Sequence, residues 1–239
     1  MNIDVAVLPS HLPSPAGRCV VVFDVLRATT SMVAALAAGV AEIRIFGDLE
    51  SARAAAAVHP GPKLLCGEQR CLRPEGFDLG NSPAAFNREA HAGRVAFMAT
   101  TNGTRAILAA AAVNTVLIGA LVNAGAVAGE LARRDQDAVL LCAGTDGQVT
   151  LEDLLGCGAV LDELSQRAQV ALASDTARLA LRLWRATQHD VVAALSDAQG
   201  GRNVIAAGLA DDIAFAAAVN SVPLVGAVQR DPLRVAGLG

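Results

Sequence analysis

VVVFDVLRATTSM (Val20–Met32) sets the architecture. It begins as an apolar, β-branched run, the composition of a buried strand. It then breaks into a polar cluster holding Asp24, Arg27, Thr29 and Thr30, and continues as a helix. The same succession recurs in VAFMATTNGTRAI (Val95–Ile107) and in AVLLCAGTDGQVTLED (Ala138–Asp153). In an open parallel sheet, loops of this kind gather at the carboxyl ends of the strands, where ligands bind. Two of the loops carry an arginine, Arg27 and Arg105; two carry carboxylates, Asp24 and the pair Glu152 and Asp153. Cations beside carboxylates on one rim point to an anionic substrate and a metal, and hence to phosphate chemistry.

Working outward, a strand is expected at Ile3–Leu8 and ends in the proline turn Pro9–Pro15. Strand Cys19–Phe23 leads to a helix capped by Thr29 or Thr30, running to about Ala38 and closed by Gly39. Strand Ile43–Phe46 is followed by a helix capped at Asp48, and Lys63–Cys66 reads as a brief strand. Ser82-Pro83 opens a helix that ends near His91 or Gly93. Strand Thr115–Ile118 and a helix opened by Asn123 come next, and the third loop's helix spans Thr150 to about Ala168. Past Ser174 the chain reads as helical to Ala217, with breaks at Asp190 and Gly200-Gly201, and Val222–Val228 is the last strand. Strands alternating with helices predict an α/β fold: a three-layer α/β/α sandwich around a mostly parallel sheet, in one domain over residues 1–239. The pattern of Val20–Phe46 returns in Val95–Ile118, which suggests an internal duplication with a boundary near residue 93.

Composition narrows the function classes. The chain has 239 residues, 53% of them hydrophobic and only 18% charged, so it buries a substantial core and is not a disordered chain. Aromatics are 3% with no tyrosine, and the net charge is −4 without a basic run, which argues against a nucleic-acid partner. No charge falls between Arg105 and Glu130, a span beyond the roughly 20 residues that cross a bilayer. Asn114-Thr115, Asn123 and several glycines interrupt it, so helix, strand and helix is the expected reading, with no membrane partner. The start MNIDVAVLPS lacks the features of a secretory signal. The five cysteines form no C-x-x-C pair and read as reduced thiols. The apolar composition suggests a homodimer.

Asp24 ends an apolar strand, where a carboxylate binds a hard cation, attacks phosphorus or caps a turn. Thr101, Asn102, Gly103, Thr104 and Arg105 form a second anion cradle or an ordinary Asn-Gly turn; the planar guanidinium suits phosphate or sulfonate. Thr150-x-x-Asp153 also matches a capping box, which leaves Asp153 either a helix cap or a ligand. Glu68 is another strand-end carboxylate, and Asp78–Pro83 either orients substrate or shapes the backbone. The four histidines fall outside these loops. Serine-hydrolase elbows, Walker loops and G-x-G-x-x-G are absent from the sequence. Leu26 stands where a haloacid-dehalogenase phosphatase needs its second aspartate, which excludes that family.

FDVLRATTSMVAALAAG, Gly67-Glu68, EGFDLGNSPAAF, TTNGTRAI, LIGALVNAGAVA and CAGTDGQVTLED stand in the order of a known family, with a weaker match through Asp211-Asp212-Ile213. The chain resembles the ComB family, the 2-phosphosulfolactate phosphatases. It departs at Gln69-Arg70-Cys71, where the family pattern continues Arg-Gly-Gly, a change that could shift a substrate contact. The resemblance implies an α/β/α fold and a cytoplasmic, Mg2+-dependent hydrolase that converts 2-phospho-3-sulfolactate to 3-sulfolactate, a step of coenzyme M biosynthesis. With Asp24, Arg27 and Arg105 as catalytic residues, the substrate contacts would be Thr29, Thr30, Asn81, Ser82, Thr101, Asn102, Gly103, Thr104, Gly144 and Thr145. Asp24, Glu68, Glu152 and Asp153 would supply the metal ligands. Both direct attack by water and an Asp24 acyl phosphate fit these residues. The rivals are a phosphatase of another small phosphorylated hydroxy acid, a non-catalytic binder of small anions and a dinucleotide-dependent oxidoreductase.

Overall fold

Strand Cys19–Phe23 is buried along its whole length, as its unbroken CVVVF run requires of a strand covered on both faces. The computed structural model describes residues 1–14 and 17–238; Pro15, in the expected proline turn, lies outside the described residues. Among the described residues ten strands join one sheet: β1 (Asn2–Ala6), β2 (Cys19–Phe23), β3 (Glu42–Phe46), β4 (Lys63–Gly67), β5 (Val95–Ala99), β6 (Thr115–Gly119), β7 (Ala138–Cys142), β8 (Ala171–Leu172), β9 (Gly226–Gln229) and β10 (Arg234–Gly237). The helices are α1 (Ala28–Ala37), α2 (Leu49–Ala57), α3 (Arg88–His91), α4 (Gly103–Ala110), α5 (Ala124–Arg134), α6 (Leu151–Ser165), α7 (Asp175–Thr187), α8 (Val191–Asp197), α9 (Gln199–Ala206) and α10 (Asp211–Ala216).

The strand order β4-β5-β3-β10-β9-β6-β2-β7-β1-β8 contains two parallel blocks, β4-β5-β3 and β6-β2-β7-β1-β8. The antiparallel hairpin β9–β10 stitches them together. Three antiparallel pairings in succession invert direction, so the blocks run in opposite senses along the sheet. Alternation along β2 separates the layers. Cys19, Val21 and Phe23 pack with Leu131, Val160 and Leu164 from α5 and α6, whereas Val20 and Val22 pack with Met32, Val33 and Ile107 from α1 and α4. The second of these cores also takes in Ile43, Ile45 and Met98 of the other block. Helix α4 touches both β3 and β2, which stand four positions apart in the sheet. The sheet therefore curls around α1 and α4. Nine of the ten residues of α1 are buried, among them Thr29, Thr30 and Ser31, whose hydroxyls donate to backbone carbonyls. This curl brings the strand ends of the two opposed blocks to one place.

The mostly parallel sheet and three layers match the expectation from sequence, and Asp48 caps α2 by accepting from the Ser51 amide at 2.7 Å. The uncharged stretch past Arg105 resolves into α4, β6 and α5, and among the described residues no helix is long and apolar enough to cross a membrane. All five cysteines are free thiols.

Other expectations are corrected. The first turn of α1 begins one or two residues before Thr29 and Thr30, and neither caps it; Arg27 occupies that position without a side-chain cap. The single helix expected after Ser82 is a 3-10 turn at Pro83–Ala85 and the short α3, because Asn87 caps anew by accepting from the Ala90 amide. Gly200 and Gly201 lie inside α9; the break comes at Ala198. The strand expected at Val222–Val228 begins at Gly226, and a further strand, β10, follows it. Thr150 and Asp153 form no capping box: the Thr150 side chain makes no cap bond, and Asp153 reaches other backbone amides.

Candidate active site

The strand ends converge on a cavity of about 450 Å3. Residues following β2 (Asp24, Arg27), β3 (Asp48), β4 (Glu68 to Cys71), β5 (Thr100 to Asn102) and β7 (Thr145, Asp146) line it, together with Arg105, Asn81 and two residues of α9.

Asp24 sits at the foot of this cavity and is 7% exposed. Its Oδ1 accepts from the Ala28 amide at 3.1 Å, the free N–H of a helix's first turn. Gly103 of α4 closes against it: a Cβ built there would stand 2.7 Å from Asp24 Oδ2 and 2.4 Å from the Ala28 Cβ. Only glycine lets the two loops approach so closely.

Behind Asp24 lie Glu152 and Asp153, 1% and 2% exposed. Asp153 accepts from the Val25 amide through Oδ1 and from the Gly144 amide through Oδ2, both at 2.9 Å. It braces the β2 and β7 loops against each other. Glu152 Oε1 accepts from the Gly200 amide at 3.0 Å, while Oε2 is buried without a hydrogen-bond partner. Burial pushes all three carboxyls up to about 7, Asp24 further by the charge of Asp153, Asp153 by Glu152, and Glu152 by Asp24. Amides offset part of the rise in each.

Arg27 is buried and committed. Its Nη1 donates to Asp212 Oδ2 at 2.7 Å and to Ser82 Oγ at 3.1 Å, and Nη2 donates to the Cys71 carbonyl at 2.5 Å. Ser82 also donates to Asp212 at 2.9 Å. A guanidinium has five N–H donors, so Arg27 retains hydrogen-bonding capacity toward the cavity it lines. Arg105 is different: it is exposed, lines the cavity, and has no carboxylate partner among the described residues.

Glu68 faces the cavity and organises two of its walls. Oε2 accepts from the Thr101 amide and hydroxyl at 3.2 and 3.0 Å, and Oε1 accepts from the Cys71 amide at 2.8 Å. Asn102 Oδ1 accepts from the Asp146 amide at 3.3 Å and so ties the β5 loop to the β7 loop. Asn81 is buried, and its Oδ1 has no partner.

Of the residues expected at the site, the structure brings Asp24, Arg27, Glu68, Asn81, Thr101, Asn102, Arg105 and Thr145 to the cavity wall. It places Thr29, Thr30, Ser82, Gly103, Thr104, Gly144, Glu152 and Asp153 behind that wall. The hydroxyls of Thr29, Thr30 and Thr104 donate to the carbonyls of Asp24, Val25 and Thr100 at 2.9, 2.7 and 2.9 Å, which shapes the loops. Sequence reasoning missed Asp212 as the partner of Arg27, and Asp48, Asp146 and Asn203 as cavity residues; the departure at Gln69-Arg70-Cys71, expected to touch on a substrate contact, does line the cavity. Asp212 stood within the weak match at Asp211-Asp212-Ile213, but nothing local ties it to a residue 185 positions away.

The acidic cluster poses the question of a cation. Among the described residues, no three His, Cys, Asp or Glu side chains form a ready-made cage. Magnesium seldom needs one, since it binds through one or two carboxylates, waters and substrate phosphate oxygens. Three mutually repelling buried carboxyls and the unpaired Glu152 oxygen fit a neighbouring cation of that kind.

The family model for 2-phosphosulpholactate phosphatase matches residues 7–231. A "probable 2-phosphosulfolactate phosphatase" of Parasynechococcus marenigrum is 40% identical over 209 residues, 86% of each chain. Proteins with the same description from Gloeobacter violaceus and Deinococcus radiodurans are 36% identical over 224 residues and 39% identical over 228. These alignments cover 93% of both chains in the first case, and 94% of this chain and 92% of its relative in the second.

Proposed function

The chain belongs to the 2-phosphosulpholactate phosphatase family, and we propose that it hydrolyses 2-phospho-3-sulfolactate to 3-sulfolactate and inorganic phosphate. The observation that carries this reading is one shared cavity, in which Asp24 after β2 meets Glu68 after β4 and Thr101, Asn102 and Arg105 after β5. A small, densely anionic ester needs guanidinium and hydroxyl donors around its oxygens and carboxylates where charge or protons are handled.

Asp24 and Glu68 are the carboxylates of the expected ligand set that line the cavity, and they would hold Mg2+. When bound, the ion polarises phosphoryl oxygens and acidifies a coordinated water. Glu152 and Asp153 stand behind Asp24, and a cation bound beside Asp24 would offset the cost that burial puts on their charged forms. Arg105 holds substrate oxyanions through a planar pair of donors. Arg27, its charge matched by Asp212, locks the 71 carbonyl and Ser82 in place and offers its remaining N–H groups to the ligand.

Purified protein should release phosphate faster from 2-phosphosulfolactate than from phospholactate or phosphoglycolate. A chelator should stop the release and Mg2+ restore it. No phosphate release from any of the three esters would overturn the reading, and full activity in chelator would remove the metal from it.

A further inference from the structure

Directly after β4 the chain makes a two-residue turn over the cavity. Gln69 and Leu72 exchange both backbone hydrogen bonds, N to O at 3.0 Å and 3.1 Å, and the two residues between them are Arg70 and Cys71. Both have positive φ, 52° and 66°. This is the backbone of a mirror-image turn, which Asn-Gly or Gly-Gly fills without strain. An arginine followed by a cysteine is conformationally costly there.

The turn is nevertheless held tightly. The Cys71 amide donates to Glu68 Oε1 at 2.8 Å, and its carbonyl accepts from Arg27 Nη2 at 2.5 Å. Two residues of the catalytic wall thus fix the turn's position, and the turn fixes Arg70 at the lip of the cavity. Of the arginines lining that cavity, Arg27 is cancelled locally by Asp212 at 2.7 Å. Arg70 and Arg105 have no carboxylate partner among the described residues. Arg70 is thus an exposed, unpaired guanidinium at the mouth of an acidic cavity, on a backbone conformation that disfavours its side chain.

We infer that Arg70 is a specificity residue: its guanidinium receives the acid group of the substrate that does not react, a sulfonate or a carboxylate. This rests on the reading of the cavity as a phosphatase site. Asp24 marks the foot, where the phosphoryl group is handled, and Arg70 marks the open lip, where the rest of the molecule emerges. The planar fork of arginine pairs with either kind of oxyanion through two parallel hydrogen bonds.

The test uses Arg70→Gly and Arg70→Lys with three esters: 2-phosphosulfolactate, 2-phospholactate and glycerol 2-phosphate. Glycine relaxes the turn, so Arg70→Gly should melt no lower than the wild type. Its kcat/KM on 2-phosphosulfolactate should fall about 10- to 100-fold further than on glycerol 2-phosphate, chiefly through KM. Arg70→Lys should fall between. The 2-phospholactate arm separates the two acids: a loss there as large as on the sulfonate ester assigns Arg70 to the carboxylate, and a smaller one assigns it to the sulfonate. Calorimetric binding of 3-sulfolactate should weaken in Arg70→Gly by the same factor as the rise in KM.

An unchanged KM in Arg70→Gly, or an equal loss on all three esters, overturns the role of Arg70 while leaving the phosphatase reading intact. Wild-type protein that binds 3-sulfolactate through Arg70 but hydrolyses none of the esters supports the subsite and refutes the phosphatase reading. Wild type that neither binds nor hydrolyses overturns both.

Discussion

The loop after β2 and the loop after β5 look alike in sequence, each a strand end followed by threonines and an arginine at a helix start, yet they do different work. In the β2 loop almost every polar group is spent internally. Thr29 and Thr30 hold carbonyls, Asp24 holds the Ala28 amide, and Arg27 is bound to Asp212, Ser82 and the Cys71 carbonyl. In the β5 loop the polarity is divided. Thr100 and Thr104 bond each other, while Thr101, Asn102 and Arg105 face the cavity, and Arg105 has no ion-pair partner among the described residues. One loop is an internally braced anvil that presents Asp24 and the spare N–H groups of Arg27; the other is a binding surface. A guanidinium already paired in the fold contributes geometry and stability, and one left unpaired contributes charge to a ligand.

Substitutions should separate these roles. The largest effect is expected from Asp24→Asn. Turnover should fall roughly 100- to 10,000-fold, the range for removing a group that handles charge or a proton at the reacting centre. Circular dichroism should show the fold retained, because the amide still offers an acceptor to Ala28. Wild-type turnover in this variant would erase the distinction between anvil and binding surface.

The two arginines sharpen the contrast. Arg27→Ala strands a buried Asp212 and should cost about 3–5 kcal/mol in denaturant unfolding. Arg105→Ala should stay within about 0.5 kcal/mol of the wild type, as exposed substitutions do, and should raise KM instead. Equal stability losses would mean that the arginines play the same part.

Gly103→Ala forces the loops apart where they touch, with contacts of 2.4 Å and 2.7 Å to relieve. Overpacking of this kind costs about 1–3 kcal/mol. Its kcat should fall together with stability, because the Asp24 carboxylate moves with the backbone. A stable and fully active variant would show that the loops need not meet.

The last effect concerns Glu152 and appears only as pH rises. Its carboxyl is raised from 4.5 to about 7 by burial, so the folded state favours the protonated form. Its contribution to stability is fully present below pH 4.5 and is lost as pH rises to about 7. Glutamine cannot ionise and retains an acceptor for the Gly200 amide. Metal-free Glu152→Gln should therefore match the wild type near pH 4 and exceed it at pH 8 by up to about 3 kcal/mol. Thermal melts across that range check the sign; a pH-independent difference would contradict the buried-charge account.

The sequence made the local features legible. Apolar runs ending in Asp24, Thr100 and Ala143 gave the strand ends, and the Asp48 cap and the helix–strand–helix past Arg105 followed from the same short-range rules. Long-range features stayed hidden. The β9–β10 hairpin reverses one half of the sheet, and no residue in β3 or β6 announces that its neighbour will come from the far end of the chain. Asp212 reaches Arg27 from α10, 185 positions along the chain. Side-chain direction was equally illegible: Thr29, Thr30 and Thr104 look like anion donors in sequence but turn to carbonyls within their own loops. Arg70 is the converse, an arginine in an irregular stretch whose place at the cavity depends on how the turn is tethered.

The most direct test is a crystal structure with Mg2+ and inorganic phosphate. The account predicts one phosphate in the cavity, with the Arg105 guanidinium donating to it and the metal between it and Asp24. Phosphate bound elsewhere, or Asp24 and Arg105 opening onto separate clefts, would contradict it.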